Sequence, residues 1–308
     1  ISSCAGITGV DFSNNPELQS VKFSGKGLTS LDLSNNLKVN SITLDLVKSI
    51  TYLNLGYNTI LTSLDPFTDA NDGANKNDGP SNFTLVAPLL KSLTLDECGG
   101  FVDITGCPDL TTLNFKPESN SSTTLDLSKQ TKLKSLTMQN MTSLRDLDLS
   151  HMSKLTTLSI KDCSAMQSIN ASNLKNLTSA TINNLDALTN VNLTGCSALT
   201  TLTCTNNAKL PALNCSGCTS LTSLACNSNS ALASLNISDS VELTTLNCYS
   251  NLLESLDISN NTAITSLDCS PNETLATLYM KSGHTISKIN NKRDAGYIPE
   301  ATEIVYVE

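Results

Sequence analysis

Eleven cysteines, two histidines and one acidic stretch are the residues of this chain whose chemistry could do more than pack. Thiolates can attack a substrate, pair as disulfides or hold a soft metal; clustered carboxylates can hold calcium. A nucleophile beside a histidine and an acid can carry acyl transfer. Spacing decides among these. Cys215-Ser216-Gly217-Cys218 has the form of half a zinc site, but no second pair with matching spacing accompanies it. His151 and His284 stand far apart at different repeat offsets, and neither has an acid and a nucleophile arranged beside it in a recognisable order. No Walker, Rossmann, nucleophile-elbow or zincin string occurs. The acidic stretch runs from Pro66 to Pro88 and is rich in Gly, Asn and Asp. A calcium loop using Asp69 and Asn71 would need its next ligand at position 73, which is Gly73. No catalytic residue, cofactor or metal ligand is predicted, and an enzymatic reading has little support.

Composition narrows the field further. The 308 residues carry a net charge of −9, and only 15% are charged, against about 25% in an average globular protein. An acidic, charge-poor chain has no reservoir of Lys and Arg for neutralising phosphates, so no nucleic-acid partner is expected. Docking on an anionic membrane is disfavoured for the same reason. No apolar run approaches the ~20 residues of a spanning helix, so this segment is not expected to insert.

The cysteines find their explanation in the elements that carry them. The pattern L-x-x-L-x-φ, with φ Leu, Ile, Cys or Met, starts at Leu133, Leu144, Leu155, Met166, Leu177, Leu188, Leu199, Leu210, Leu221, Leu232, Leu243, Leu253, Ile264, Leu275 and Ile286. It continues less tightly upstream at Ile7, Leu18, Leu28, Val39, Ile50, Leu61, Leu90 and Leu110. Steps of 11 residues alternate in character. LTTLTCTNN from Leu199, LTSLACNSN from Leu221 and LTTLNCYSN from Leu243 form one type; LASLNISDS from Leu232 and LESLDISNN from Leu253 form the other. The true period is therefore about 22, made of two similar arms. Within an arm, residues at L+3 and L+5 alternate with polar ones, the period-2 mark of a strand with one wet face. No arm holds 10–15 residues of helical periodicity. The predicted fold is mainly β: a solenoid of ~22-residue coils with strands on one side, extended or short-strand segments on the other, few or no helices, and shallow curvature.

In this register every cysteine falls at one of two offsets. Cys204, Cys215, Cys226, Cys248 and Cys269 lie at L+5, an inward strand position where Cys serves as a small hydrophobe. Cys4, Cys98, Cys107, Cys163, Cys196 and Cys218 lie at L+8, the position held elsewhere by Asn207, Asn229, Asn251, Asn261 and Asn272. Stacked parallel strands hold Cβ atoms near ~4.8 Å, wider than the ~3.8 Å a disulfide prefers. Buried free thiols are expected.

The L-x-x-L-x-L-x-x-N/C wording, sustained over nearly the whole chain, resembles bacterial surface leucine-rich-repeat proteins of the internalin-like group. The resemblance implies a secreted or surface-anchored protein that works by binding, so an extracellular or cell-surface location is expected. It implies a partner that is a protein or glycoprotein, and a monomeric scaffold. Cys4 stands three residues before Ile7, as Cys196 does before Leu199, so the chain reads as beginning inside a repeat. Ile1-Ser2-Ser3-Cys4 is also lipobox-like, which would make Cys4 a lipid anchor.

The domain reading is a solenoid over 1–289, with an insertion loop at 66–88 in place of an arm, a surface excursion at 116–122, and a C-terminal capping segment at 290–308. A linker to a further domain is the alternative for that last segment. The outward L+2 and L+4 columns of the first arm form a flat hydroxyl array: Ser135, Thr157, Ser179, Thr201, Ser223, Thr245 and Ser266, then Thr137, Ser159, Thr181 and Thr203. Aromatic and cationic anchors are scarce. The candidate contact residues are Phe67, Asp69, Asp72, Asp78, Phe83, Lys161, Tyr249 and Tyr279. Three non-catalytic readings follow: a binding scaffold, a structural spacer displaying another domain, and an ice-binding Thr/Ser face. Ala225, Asn247 and Asp268 interrupt the hydroxyl array and weaken the last.

Overall fold

The computed structural model describes residues 6–45, 47–67, 80, 82–96, 98–117, 123–289 and 302–308. The chain is a parallel β-solenoid of about 12 turns, about 22 residues apart. Among the described residues there is no helix. Two compact units are distinguished, Ile1–Leu144 and Arg145–Glu308.

In the second unit the first-arm strands are Thr157–Lys161, Ser179–Asn183, Thr201–Thr205, Ser223–Ala225, Thr245–Asn247 and Ser266–Asp268. They pair in that order, all parallel. The second-arm strands Asp146–Asp148, Ser168–Asn170, Asn190–Asn192, Ala212–Asn214 and Ser234–Asn236 make a separate parallel sheet. Register follows the repeat: Ser179 faces Thr201, and Thr201 faces Ser223. A one-residue slip would turn the leucine file outward, so burial of one face fixes the pairing. Leu177, Leu199, Leu221 and Leu243 are fully buried, as are Leu202 and Leu224. Each such side chain contributes about 2 kcal/mol of burial.

A turn column ends six successive first arms. Asn140, Asp162, Asn184, Asn206, Ser228 and Ser250, all at L+7, have φ between 54° and 61°. Asn and Asp enter this left-handed region most easily, because a short polar side chain can bond locally. Serine has less to offer there. Ser250→Gly should therefore raise stability by about 0.5–1 kcal/mol, the relieved backbone strain less the greater entropy of an unfolded glycine. Urea unfolding checks this; a lowered midpoint would contradict it.

The first unit repeats the design. Ser20–Ser24 pairs with Ser41–Asp45, and Ser63–Leu64, Ser92–Asp96, Thr112–Lys116 and Ser135–Gln139 pair in sequence. The second-arm side runs Gly9–Asp11, Ser30–Asp32, Tyr52–Asn54, Asn82–Val86, Phe101–Gly106 and Thr124–Leu125.

Here the expected replacement of an arm over 66–88 is corrected. Asn82–Val86 supplies the arm, pairing with Tyr52–Asn54 and Phe101–Gly106. Phe83, Leu85 and Ala87 are buried, alternating with half-exposed Thr84 and Val86. This period-2 signal was present in the sequence. It was masked because the chain reaches Leu90 in three residues from Ala87, so the usual L-x-x-L entry is displaced. Residues 68–79 and 81 of the stretch lie outside the described residues, as do 118–122 of the second excursion.

At the other end, Glu303–Val307 adds to Thr277–Lys281 in parallel, with Tyr279 opposite Val305. The strand expected from Ile304-Val305-Tyr306-Val307 is thus present and continues the second-arm side. Cys4 and residues 290–301 lie outside the described residues.

Candidate functional site

None of the ten described cysteines is in a disulfide, and all are buried. At L+5, Cys204, Cys226, Cys248 and Cys269 stack on successive coils of the second unit, each at most 1% exposed. Burial pushes the Cys204 and Cys269 thiols up to about 12, and does the same to Cys107 in the first unit. Cys226 and Cys248 are raised further, first by burial and then by neighbouring thiols of the file. A nucleophilic cysteine needs the opposite shift, toward thiolate near neutral pH. These sulfurs are packing atoms.

At L+8 the thiols act as donors. Cys196 Sγ donates to Ala171 O at 3.1 Å, and Cys218 Sγ to Leu193 O at 3.5 Å. Cys107 Sγ reaches Leu85 O at 3.5 Å in the first unit. The asparagines at this offset do the same work with more bonds. Asn229 Nδ2 donates to Cys204 O at 2.8 Å and to Cys226 O at 2.7 Å. Its Oδ1 accepts from Asn207 N at 2.8 Å. Asn251 and Asn272 repeat the pattern, so the amide column bolts each turn to the preceding coil. The column is not amide throughout: Met141, Cys163 and Leu185 occupy it before Asn207.

The opposite side carries a second polar column. Asp148, Asn170, Asn192, Asn214, Asn236 and Asp257 each accept from the backbone N–H two residues on, at 2.9–3.2 Å. Asn170, Asn192 and Asn236 also donate back to the side chain one coil earlier, at 3.0–3.3 Å. The expected amide ladder is present, and it doubles as a turn column. Hydrogen bonds from Ser150 lower the Asp148 carboxyl below its ordinary range.

One ladder escaped sequence reasoning. Threonines at L+1 donate their hydroxyls to the carbonyl of the equivalent residue one coil back. Thr178 reaches Thr156 O at 3.0 Å, Thr200 reaches Thr178 O at 2.9 Å, Thr222 reaches Thr200 O at 3.0 Å, and Thr244 reaches Thr222 O at 3.0 Å. The signal was a run of Thr at 156, 178, 200, 222, 244 and 265. These threonines precede the alternating strand positions, so the period-2 pattern does not mark them.

The first-arm face beside this ladder has its backbone and several of its hydroxyls bonded from coil to coil. Thr137, Ser159, Thr181, Thr203, Ala225, Asn247 and Asp268 along L+4 are all half-exposed. At the margin of the face, L+6 carries Lys161, Asn183, Thr205, Asn227 and Tyr249, of which Thr205 is buried. Lys161 pairs in register with Asn183, and Asn183 with Thr205. Lys161 is exposed and Tyr249 half-exposed. Four coils separate them, about 19 Å at the spacing of hydrogen-bonded strands.

The eight candidate residues do not form one surface. Lys161 and Tyr249 share that first-arm margin. Tyr279 lies on the second-arm side, between Asp257 and Val305. Phe67 and Phe83, at 6% and 1% exposure, pack edge to face with centroids 5.2 Å apart in the first unit. Burial removes both rings from any contact surface. Asp69, Asp72 and Asp78 lie outside the described residues. Among the described residues no three His, Cys, Asp or Glu side chains are placed to hold a metal ion. His284 Nε2 sits 2.9 Å from Ile264 O in a hollow of about 360 Å³ lined by Thr262, Lys281, Ser282 and Thr285. His151 is exposed in a turn.

No family model matches the chain, and no curated protein matches it. Solved structures do. The functional domain of InlJ from Listeria monocytogenes, which includes a cysteine ladder, is 23% identical over 90% of this chain, with a TM-score of 0.38. The chain spans 62% of that structure's length. An internalin, inlF, from the same organism is 17% identical over 95% of this chain and 81% of its own, with a TM-score of 0.34. A leucine-rich-repeat protein from Eubacterium ventriosum is 15% identical over 85% of this chain and 82% of its own, with a TM-score of 0.30.

Proposed function

We propose that this chain is a non-catalytic binding scaffold, secreted or held at a cell surface, that presents its first-arm sheet to a protein or glycoprotein. One observation carries the reading. Buried positions repeat coil after coil, whereas the L+6 margin of the first arm changes: Lys161, Asn183, Asn227 and Tyr249 stand at least partly exposed in a single file, with Thr205 buried among them. A spacer needs no such variation, and a lattice-matching face would need the opposite. A sheet bonded from coil to coil, with a varied file of side chains, is a surface that can discriminate partners at small ordering cost. Burial raises the Cys204, Cys226, Cys248 and Cys269 thiols away from thiolate, which supports a packing role for that file.

A photo-crosslinking residue at Thr203 should capture a partner in the native extracellular milieu, while the same residue at Asn214 on the second-arm side should not. Tyr249→Ala should then weaken binding of the captured partner roughly tenfold, the scale of an aromatic anchor. Equal capture from both sides, or an unchanged affinity, would overturn the reading.

A further inference from the structure

The interior files disfavour disulfides because their Cβ vectors run parallel. One pair escapes that constraint. Cys215 and Cys218 belong to the same coil, at L+5 and L+8 of one arm. Between them the backbone makes a tight turn: Cys218 N donates to Cys215 O at 3.0 Å, and Gly217 has φ +75°. A turn closed by this bond, with a left-handed residue at its third position, brings its end Cα atoms within 7 Å, overlapping the 4.4–6.8 Å window of a disulfide. Both side chains point into the same interior and are fully buried. Gly217 cannot be exchanged freely: a Cβ there would meet Gly195 Cα of the preceding coil at 2.9 Å. The turn that juxtaposes the sulfurs is thus held by its neighbour.

We propose that Cys215 and Cys218 form a reversible redox site, the one place in the thiol-rich interior where a small-molecule disulfide installs an intramolecular bridge. The chemistry is thiol–disulfide exchange. The Cys218 thiolate attacks a sulfur of oxidised glutathione, expelling one glutathione thiolate and forming a mixed disulfide. Cys215, deprotonated by solvent base, then attacks the Cys218 sulfur and expels the second glutathione thiolate, which takes up a proton. Two protein thiols are oxidised and one glutathione disulfide is reduced. The bridge removes the Cys218 donor from Leu193 O, so oxidation loosens one contact between coils while closing the turn.

The test starts from the reduced, urea-unfolded full chain, so that burial does not limit access. Refolding in glutathione buffers of graded oxidation, followed by alkylation and tandem mass spectrometry, maps every bridge. The expected result is a 215–218 bridge that appears at the least oxidising ratio, with two thiols lost per chain. Cys226→Ala should leave it in place, and Cys218→Ala should abolish it without raising bridges elsewhere. Bridges among Cys204, Cys226, Cys248 and Cys269 at equal or milder oxidation would overturn the proposal. So would the absence of a 215–218 bridge at a ratio where the isolated 210–222 peptide oxidises.

Discussion

Raising the pH from 9 to about 11 should unfold this protein, and the thiol interior should be the reason. Burial pushes Cys107, Cys204 and Cys269 to about 12, and holds Cys226 and Cys248 higher still. In the unfolded chain the same groups titrate near their ordinary value of 9.0. The folded value lies above the unfolded one, so the unfolded state releases protons first. The native advantage is intact below pH 9 and is lost as pH climbs through the window from 9 to about 12. Each thiol withdraws about 1.4 kcal/mol per pH unit in that window. Five together withdraw about 7 kcal/mol per unit, comparable with the whole stability of an ordinary domain, about 5–15 kcal/mol. Urea unfolding at a series of pH values measures the slope directly. Cys226→Val, which keeps a small apolar group in the file, should reduce that slope by about 1.4 kcal/mol per unit. A stability independent of pH between 9 and 11 would contradict the packing of these sulfurs.

The second large effect is expected at Asn229. Its side chain makes three buried hydrogen bonds, two to backbone groups of the preceding coil and one within its own. In Asn229→Ala, Cys226 O keeps a partner in Asn251 Nδ2. Asn207 N and Cys204 O lose theirs. Two orphaned backbone groups at about 1–3 kcal/mol each, plus the cavity left by the amide, put the loss at about 3–5 kcal/mol. Asn229→Cys should lose less, because a thiol at this offset still donates to a backbone carbonyl, as Cys163 does to Lys161 O in the same column and Cys196 to Ala171 O in the other arm. The ordering Asn, Cys, Ala in urea midpoint is the diagnostic outcome. Equal loss for Cys and Ala would show that the donor contributes nothing and that volume alone matters.

These two expectations rest on parts of the molecule that were legible in the sequence, for a physical reason. In a solenoid, residues one period apart are neighbours in space, so a linear period is already a contact map. Leu199, Leu221 and Leu243 announce one file, and Cys204, Cys226 and Cys248 another. Where an arm is entered by a shorter turn, as at Ala87 to Leu90, the period alone misplaces it, although Phe83 and Leu85 still alternate correctly. The candidate site was less legible. Phe67 and Phe83 read as exposed aromatics because they flank a polar stretch, yet apolar burial places both in the core. Lys161 and Tyr249 lie four periods apart in the chain, and it is register that puts them on one margin. The Thr156-to-Thr265 ladder was visible as a column, but a hydroxyl that faces solvent and one that bonds the coil behind it look alike in one dimension.

The central claim is that side chains one period apart form continuous buried files, sulfurs included. Thiol-exchange labelling of the native protein at neutral pH tests it most directly, with each cysteine resolved by mass spectrometry. The account predicts that the ten buried thiols react on the order of a thousandfold more slowly than in urea, as about 4 kcal/mol of local opening free energy would impose. Rapid native labelling of Cys204, Cys226, Cys248 and Cys269 would contradict it.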